Sequence, residues 1–468
     1  MKSLCFGILA ALFANGVLAC SGDPGITESP PPVDHADSSL GSLEQRIVEA
    51  RERLANDHCS ADLDPSDCPT VNVRIDGSDE RIENGSNEAI LIVDEFDRFS
   101  TWAFLQRYRH RVRALLQLTA TGVDRVSASW PIPQSLATTL EDFSDPAFIP
   151  AAALQPIGEE IEKRFSPYSV AHHGQIVSAM TVDLAPRNPI VFLDGNGPEW
   201  SGIPMDRICR EPNSPALLSE LTSRFKQTAD AIRNAIAEYN IKYVNVSSGV
   251  VIPSPDKWAT RCQTPAPSRE VLRNLYETMR PLYRAYFGTP GVIATNAGYY
   301  NDPLTSPFDL PSADFPNRVR VGVIESVDSG AGPEGSEKIT GINIAPRQSE
   351  ADAFFVWGCE TLRRCNATPP MIVWPLGMGI EPLVNQQRPG FFGATSWVSP
   401  MALARVVNLR ETKHAGAEFN DSLVATLKDE FTPRACGPSG SALCQFQDPY
   451  RHGQFEFFRL GYGKYITK

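Results

Sequence analysis

An aspartate, a histidine and a serine that together can hydrolyse a peptide bond stand in three separate stretches of this sequence. Asp94 ends the apolar run AILIVD, His173 directly precedes Gly174, and Ser396 lies in the stretch FFGATSW. A serine hydroxyl becomes a nucleophile when an imidazole accepts its proton, and a carboxylate holds that imidazole in the correct tautomer. Taken singly, each residue also fits a structural role, as a turn aspartate, a surface histidine and a helix N-cap serine.

The elements that carry these residues would bring them to one place. The run AILIVD predicts a buried parallel strand, and active sites of open α/β sheets lie at the carboxyl ends of such strands. His173 stands at the start of a predicted helix, where Gly174 permits close approach of a backbone. Ser396 begins another predicted helix, whose free N–H groups would face a developing oxyanion.

The rest of the chain supports this plan. From about residue 88 apolar strand patterns alternate with helical patterns, which predicts an α/β fold, doubly wound, with a mostly parallel central sheet and helices on both faces. We predict strands at 89–94, 189–194, 242–249, 291–298, 318–327 and 371–377. We predict helices at 42–56, 101–118, 215–239 and 268–287, and two more that begin near 172 and 395.

Three motifs in one order resemble the subtilase family of serine peptidases. Family sequences have a strand ending in Asp-Thr-Gly, then His-Gly-Thr-x-Val, then Gly-Thr-Ser-x-Ala-x-Pro. This chain has IVD at 92–94, HGQIV at 173–177 and ATSWVSP at 394–400. The order Asp, His, Ser is that of subtilisin and differs from the orders in chymotrypsin and the α/β-hydrolases. The resemblance covers residues 88–410 discontinuously and implies a subtilisin-like fold with Asp94, His173 and Ser396 as the catalytic triad.

The same resemblance implies a substrate cleft. The segment IAEYNIKYVNVSSG at 236–249 is similar to a family segment that ends in Asn-x-Ser-x-Gly. Ser247, Ser248 and Gly249 would then form one wall of the peptide-binding cleft. An extended polypeptide substrate would add to this wall as a strand.

The oxyanion hole is where this chain departs from the family. The family has an asparagine after Ala-Gly, and Tyr299 takes its place in TNAGYYN at 295–301. The neighbouring Asn296 or Asn301, or the Tyr299 hydroxyl, would have to supply the missing hydrogen bond. Loss of one such donor lowers the rate by about 10²–10³-fold. Two functions therefore stay open: a serine endopeptidase that forms an acyl-enzyme, and a catalytically impaired relative that binds peptides.

The N-terminus predicts export and a lipid anchor. Residues 1–20 have Lys2, a short apolar run and then VLAC, which resembles a bacterial lipobox with Cys20 as the acylated residue. An ordinary signal peptide is the alternative. Residues 21–42 are rich in Pro, Ser, Gly and Asp and predict a flexible tether. The expected location is the cell envelope of a bacterium, with the outer membrane favoured.

The remainder divides into two predicted parts. Residues 43–88 form an N-terminal extension, either a pro-region or an embellishment, and residues 89–468 form the peptidase domain. We expect a monomer.

Cysteine usage agrees with export. Ten cysteines occur, and loss of Cys5 with the signal peptide and acylation of Cys20 leave eight. An even number in an exported chain predicts disulfides, of which pairing between neighbours along the chain is the simplest arrangement. The predicted pairs are Cys59–Cys68, Cys209–Cys262, Cys359–Cys365 and Cys436–Cys444. A zinc site is disfavoured because no CxxC occurs.

Charge and motifs exclude several other classes. A formal net charge of −12 argues against a nucleic-acid partner, which needs clustered Lys and Arg. No GxSxG elbow of an esterase and no HExxH metal motif occurs. Asp194, Asn196 and Glu199 carry oxygen ligands of the type that Ca²⁺ takes, but their spacing matches no defined calcium loop. We therefore predict no cofactor and a structural turn at these three residues.

Overall fold

The computed structural model is a mixed α/β protein built on a nine-stranded sheet, which confirms the predicted fold class. The structure describes residues 40–57, 69–76, 86–96, 102, 104–105, 111–120, 122–143, 151–164, 173–185, 187–195, 202–247, 250–297, 306–309, 312–329, 339–344, 352–356, 371–373, 380–382 and 395–431.

The elements are numbered in chain order over these residues. The strands are β1 (Thr70–Asp76), β2 (Ala89–Asp94), β3 (Val112–Thr119), β4 (Gly122–Arg125), β5 (Ser127–Pro133), β6 (Ile190–Asp194), β7 (Ile241–Val246), β8 (Ile293–Ala297), β9 (Arg318–Ser329), β10 (Ile339–Ile344), β11 (Ala353–Val356), β12 (Met371–Val373) and β13 (Ile380–Pro382). The helices are α1 (Leu40–Ala55), α2 (Gln134–Asp142), α3 (Ala151–Arg164), α4 (His173–Leu184), α5 (Met205–Arg210), α6 (Pro215–Glu238), α7 (Pro255–Cys262), α8 (Arg269–Glu277), α9 (Arg280–Phe287), α10 (Thr395–Thr412) and α11 (Asp421–Phe431).

The order of strands in the main sheet creates a crevice beside β2. The order is β10-β9-β8-β7-β2-β6-β3-β4, and β11 also pairs with β9. Strands β4 and β10 are antiparallel to their neighbours, and the other strands are parallel. From β2 the chain passes to β3, returns to β6, and then crosses to β7 on the other side of β2. Such a reversal opens a crevice at the carboxyl ends of the strands, where ligands bind in open α/β sheets.

Helices cover both faces of the sheet. Ile90 and Ile92 of β2 pack in one apolar core with α4 and α10, whereas Leu91 and Val93 pack in a second core with α6, α8 and α9. Side chains of a strand alternate between faces, so a strand buried on both sides reads as a continuous apolar run. This explains why AILIVD and PIVFLD were recognisable from the sequence.

Three predicted elements differ in part from the structure. Residues 101–118 were predicted as a helix, but residues 112–119 form strand β3, which pairs with β6. The apolar residues of VRALLQLT fit both the helical and the strand spacing, and pairing with a neighbouring strand decides for a strand. The predicted helix 268–287 is two helices, because Pro281 lacks an N–H and its ring crowds the carbonyl of Glu277, where α8 ends. Of the predicted strand 371–377, residues 371–373 form β12, which pairs with β13 and not with the main sheet, and residues 374–377 lie outside the described residues.

The predicted N-terminal extension is structurally continuous with a later part of the chain. Strand β1 pairs along its whole length with β5, and α1 packs against α2 and α3. We call these five elements the N-terminal lobe. Its buried apolar residues are Ile47, Ala50, Leu54, Val73, Ile75, Ile132, Leu136, Leu140, Ile157 and Ile161. Residues from both sides of position 88 therefore build one small core.

Removal of residues 40–76 should unfold the rest of the N-terminal lobe. Ile132 and Leu136, both 0% exposed, would lose the apolar side chains that cover them. We expect limited proteolysis, read by mass spectrometry, to cut within 127–164 of this variant. The control is removal of 1–39 alone, which should leave 127–164 protected. Equal protection in both variants would contradict the shared core.

One predicted disulfide is confirmed, Cys209–Cys262, which joins α5 to the end of α7. The other predicted pairs and Cys20 lie outside the described residues. The confirmed bridge closes a loop with a sequence separation of 53 residues. A loop of this length restricts the unfolded chain and should stabilise the fold by about 2–4 kcal/mol.

The double variant Cys209→Ala with Cys262→Ala should lose that stabilisation. Urea unfolding at equilibrium would measure it as a lower midpoint, with a steeper slope because the unfolded chain without the bridge exposes more surface. Dithiothreitol should lower the midpoint of the wild type more than that of the variant. An unchanged midpoint in the variant would show that the bridge contributes no stability.

Candidate active site

Two of the sequence-predicted catalytic residues are in direct contact. Asp94 is the last residue of β2 and His173 is the first residue of α4. The Nδ1 atom of His173 lies 2.7 Å from Oδ1 of Asp94. The carboxyl group is 1% exposed and also accepts the backbone N–H of Glu95 at 2.8 Å. The imidazole is 35% exposed, so one side of the ring is buried against the carboxylate and another reaches solvent.

Gly174 allows α4 to begin this close to the end of β2. Its backbone N–H donates to the carbonyl of Glu95 at 3.2 Å. A Cβ atom at this position would overlap the Glu95 carbonyl oxygen and lie 2.7 Å from Cε1 of Phe96. No ordinary side chain therefore fits between the first turn of α4 and residues 95–96. The glycine after His173 is a packing requirement of the Asp94–His173 contact.

A second aspartate, Asp194, supports the turn that follows Asp94. It ends β6, in register with Asp94 on β2, and its Oδ1 accepts the backbone N–H of Phe96 at 3.2 Å. Burial raises the pKa of the Asp194 carboxyl, the Phe96 N–H opposes that rise, and the charges of Glu95 and Asp94 add to it. The sequence shows Asp194 as the end of a second apolar run, but its contact with Phe96 depends on strand order. Asn196 and Glu199 lie outside the described residues.

The surroundings of His173 favour its protonated form. Burial of the ring lowers its pKa, but the hydrogen bond and charge of Asp94, with a further contribution from Glu95, outweigh that effect. The net result is a pKa raised from its ordinary value. An imidazole held in this way can accept a proton and keep the resulting cation stable beside a carboxylate.

Ser396 is the second residue of α10 and lies at the carboxyl end of β7. Its side chain is 1% exposed, and its Oγ donates to the backbone carbonyl of Ser247 at 2.9 Å. The Oγ of Ser247 in turn donates to the carbonyl of Ser396 at 3.0 Å. Helix α10 also packs against α4, β7, β8 and β9. Ser396 is thus fixed to the residue that follows β7.

The position of Ser247 relates Ser396 to Asp94. Strand β7 is the neighbour of β2, and Val246 is in register with Val93. Asp94 and Ser247 are therefore the next positions along adjacent strands, which lie about 4.8 Å apart in a sheet. Alternation places both side chains on the face covered by α4 and α10. Asp94, His173 and the serine-bearing turn of α10 consequently share one edge and one face of the sheet.

The remaining predicted site residues divide into two groups. Ser248, Gly249, Tyr299 and Asn301 lie outside the described residues. Asn296 is in β8, is 1% exposed, and donates its Nδ2 to the carbonyl of Val246 at 3.4 Å. Its neighbour Thr295 faces α10, so Asn296 points to the opposite face of the sheet. Its role in an oxyanion hole stays a prediction.

Three buried polar residues beside Ser396 were not identified from the sequence. Asn245, Thr295 and Ser399 are each 0% exposed, and Asn245 Oδ1 accepts hydrogen bonds from both Thr295 and Ser399 on the α10 face. An asparagine inside the apolar strand YVNV was the available signal, because a buried amide requires partners. Its partners come from two other elements, which the sequence alone does not reveal.

In the described part of the chain, no group of three or more His, Cys, Asp or Glu side chains is arranged to hold a metal ion. None of the helices in the described ranges combines the length and apolar character needed to cross a bilayer.

Comparison with known proteins shows a distant structural similarity. No protein-family model matches the sequence, and no curated protein matches it. A crystal structure of a lanthipeptide protease aligns over 74% of this chain and 80% of its own, with 12% sequence identity and a TM-score of 0.33. A TM-score of 0.33 is too low to assign this chain to that fold family.

Replacing Gly174 by alanine should destabilise the protein. The added methyl group overlaps backbone and a packed ring, and such overpacking reduces stability by about 1–3 kcal/mol. Urea unfolding would measure the change. Gly122→Ala is the matched control, since a Cβ there meets only Ala231 Cβ at 3.4 Å, an ordinary contact. If both variants unfold at the same urea concentration, the packing requirement at Gly174 is refuted.

Proposed function

We propose that this chain is a serine endopeptidase of subtilisin-like plan, with Asp94, His173 and Ser396 as its catalytic residues. The main support is the 2.7 Å contact between His173 Nδ1 and the buried Asp94 carboxylate. This contact lies at the carboxyl end of β2. Ser396 of α10 lies at the carboxyl end of β7, the strand next to β2. Three residue types required for acyl transfer, carried by β2, α4 and α10, thereby belong to one edge.

The proposed reaction follows from this arrangement. With its Nδ1–H donated to Asp94, His173 keeps a lone pair on Nε2 and acts as the general base. For reaction the Ser396 hydroxyl turns from the Ser247 carbonyl to Nε2, gives its proton to that nitrogen and attacks the peptide carbonyl, forming a tetrahedral oxyanion. His173 then protonates the leaving amine, which departs and leaves an acyl-enzyme on Ser396. Water, activated by the same imidazole, hydrolyses the ester and restores the serine.

The oxyanion would be stabilised mainly by the amino end of α10. The first N–H groups of a helix have no intrahelical acceptor and carry partial positive charge. The Ser396 N–H is one of them, because Ser396 is the second residue of α10. A side-chain donor from Asn296 or Tyr299 is the predicted complement. Ser248, Gly249 and the backbone of Ser247 would line the peptide cleft as an edge for an extended substrate.

We extend the proposal to the location of the protein. A lipid anchor at Cys20 and residence in a bacterial envelope, on a monomeric chain without cofactor or nucleic-acid partner, fit the sequence. The Cys209–Cys262 disulfide supports an oxidising compartment.

A second candidate is a peptide-binding protein with the same cleft and little turnover. It is favoured by the hydrogen bond from the Asn296 amide to the Val246 carbonyl, which occupies that side chain on the far face of the sheet. The donor would then have to come from Asn301 or from the Tyr299 hydroxyl. The two functions differ in whether Ser396 reacts.

A fluorophosphonate probe should label the wild-type protein at Ser396. The activated hydroxyl attacks phosphorus as it would a carbonyl, so mass spectrometry of the digested protein should find the adduct on the peptide that contains Ser396. Ser396→Ala should abolish the adduct. Heat-unfolded wild type is the control for unspecific reaction. Absence of labelling in folded protein that still retains peptides would favour the binding protein.

The labelling rate should fall at acidic pH, with its midpoint above the ordinary histidine pKa. The base must be neutral, and the raised pKa of His173 keeps it protonated to higher pH. Asp94→Asn removes the charge that raises this pKa. The midpoint should therefore move to lower pH, while the maximal rate falls by about 10³–10⁴-fold.

Asp194→Asn is the matched control for that measurement. The amide oxygen of asparagine can still accept the Phe96 N–H, and the charges that raise the pKa of His173 are those of Asp94 and Glu95. Its pH profile should match that of the wild type. A profile of Asp94→Asn that also matches the wild type would exclude the proposed role of Asp94.

A further inference from the structure

A closed set of hydrogen bonds joins the turn that carries Ser396 to the two strands beneath it. The Nδ2 of Asn245 donates to Ser247 Oγ at 2.7 Å, and Ser247 Oγ donates to the Ser396 carbonyl at 3.0 Å. The Oδ1 of Asn245 accepts from Ser399 Oγ at 2.8 Å and from Thr295 Oγ1 at 3.2 Å. Every one of these side chains is at most 1% exposed. Both polar atoms of the Asn245 amide therefore have partners within the protein.

Pro400 makes the Ser396 carbonyl available for this contact. In an α-helix the carbonyl of residue 396 would accept the N–H of residue 400. Proline at position 400 has no N–H, so that intrahelical bond cannot form. A buried carbonyl without a donor is unfavourable, and the Ser247 hydroxyl supplies one from the neighbouring strand. The Ser247 hydroxyl thus supplies the hydrogen bond that Pro400 cannot give to the Ser396 carbonyl.

Asn245 is suited to its place because it must both donate and accept. Its amide NH₂ orients the Ser247 hydroxyl, while its carbonyl oxygen accepts from both Ser399 on α10 and Thr295 on β8. An aspartate lacks the donor and a leucine lacks both groups. The far end of α10 is fixed separately, since Arg410 pairs with Glu88 at 2.8 Å just before β2. The network around Asn245 therefore fixes the position of the amino end of α10, where Ser396 lies.

We propose that Asn245 and Ser247 are positioning residues that hold Ser396 in place for reaction, through the Ser396 carbonyl, which accepts from Ser247 and cannot accept an N–H from Pro400. This inference rests on the proposed function of Ser396. It assigns the Ser247 side chain to the support of the nucleophile, where the sequence had suggested a wall of the substrate cleft. The Ser247 side chain is 0% exposed and points into the network, so it does not face a substrate in the cleft.

The test is inactivation by a peptidyl diphenyl phosphonate, which separates the binding constant KI from the reaction rate kinact. Ser247→Ala should lower kinact by about 10²-fold, as expected for a displaced reacting group, and change KI little. Ser247→Thr, which keeps the hydroxyl, should recover most of the rate. Thr278→Val is the control, because it removes a buried hydroxyl that only donates to Leu275 in the α8–α9 connection.

Pro400→Ala provides an independent variant. An N–H at position 400 can bond to the Ser396 carbonyl within the helix and replace the donor lost in Ser247→Ala. The double variant Ser247→Ala with Pro400→Ala should therefore react faster than Ser247→Ala alone. Strict additivity of the two changes would contradict a shared carbonyl.

The outcomes distinguish this inference from the proposed function. Wild type that does not react would refute the peptidase, and hydrogen exchange of peptides covering 395–407 would then decide the positioning role. Faster exchange in Ser247→Ala than in wild type and Thr278→Val supports it, and equal exchange overturns it. If the wild type reacts and Ser247→Ala reacts equally fast, the positioning role fails alone. A variant with raised KI and normal kinact would return Ser247 to the cleft wall.

Discussion

A carboxylate that is buried at the end of the central strand is the constraint on which this site depends. Asp94 is 1% exposed, and a charge so placed must be hydrogen-bonded to persist. One oxygen is satisfied by the Glu95 N–H and by His173, which requires α4 to begin within contact distance of β2. Gly174 makes that distance sterically accessible. The hydrogen bond that the buried Asp94 carboxylate requires thus determines where α4 begins.

Helix α10 is subject to a different constraint. Its buried surface includes Met401, Leu403, Val406 and Val407, which pack against the sheet and α4. Apolar contacts are non-directional, and polar contacts at the two ends of the helix add directional restraints along its axis. The network around Asn245 acts at one end and the Arg410–Glu88 pair at the other. Directional bonds at both ends give the helix a defined register.

The N-terminal lobe changes how the chain divides into parts. A boundary at residue 88 separates β1 from β5, although these strands pair residue by residue. A two-stranded antiparallel pair is marginal by itself, and α1, α2 and α3 bury one apolar core with it. The region before β2 is therefore a component of the folded protein whose partners lie more than fifty residues later in the chain, in β5 and α3.

The sequence by itself determined the features that depend on local pattern. Apolar runs ending in Asp94 and Asp194, the helix start at His173 and the long helix after Ser214 were predicted because period and turn residues are local properties. The Cys209–Cys262 pair followed from adjacency of the cysteines along the chain.

The tertiary structure decided whatever depended on a distant partner. It made VRALLQLT a strand against β6, joined β1 to β5, and showed that Asn245 connects two strands to α10. Hydrogen-bond partners far apart in the chain set these outcomes, and no local pattern encodes which partner will be adjacent.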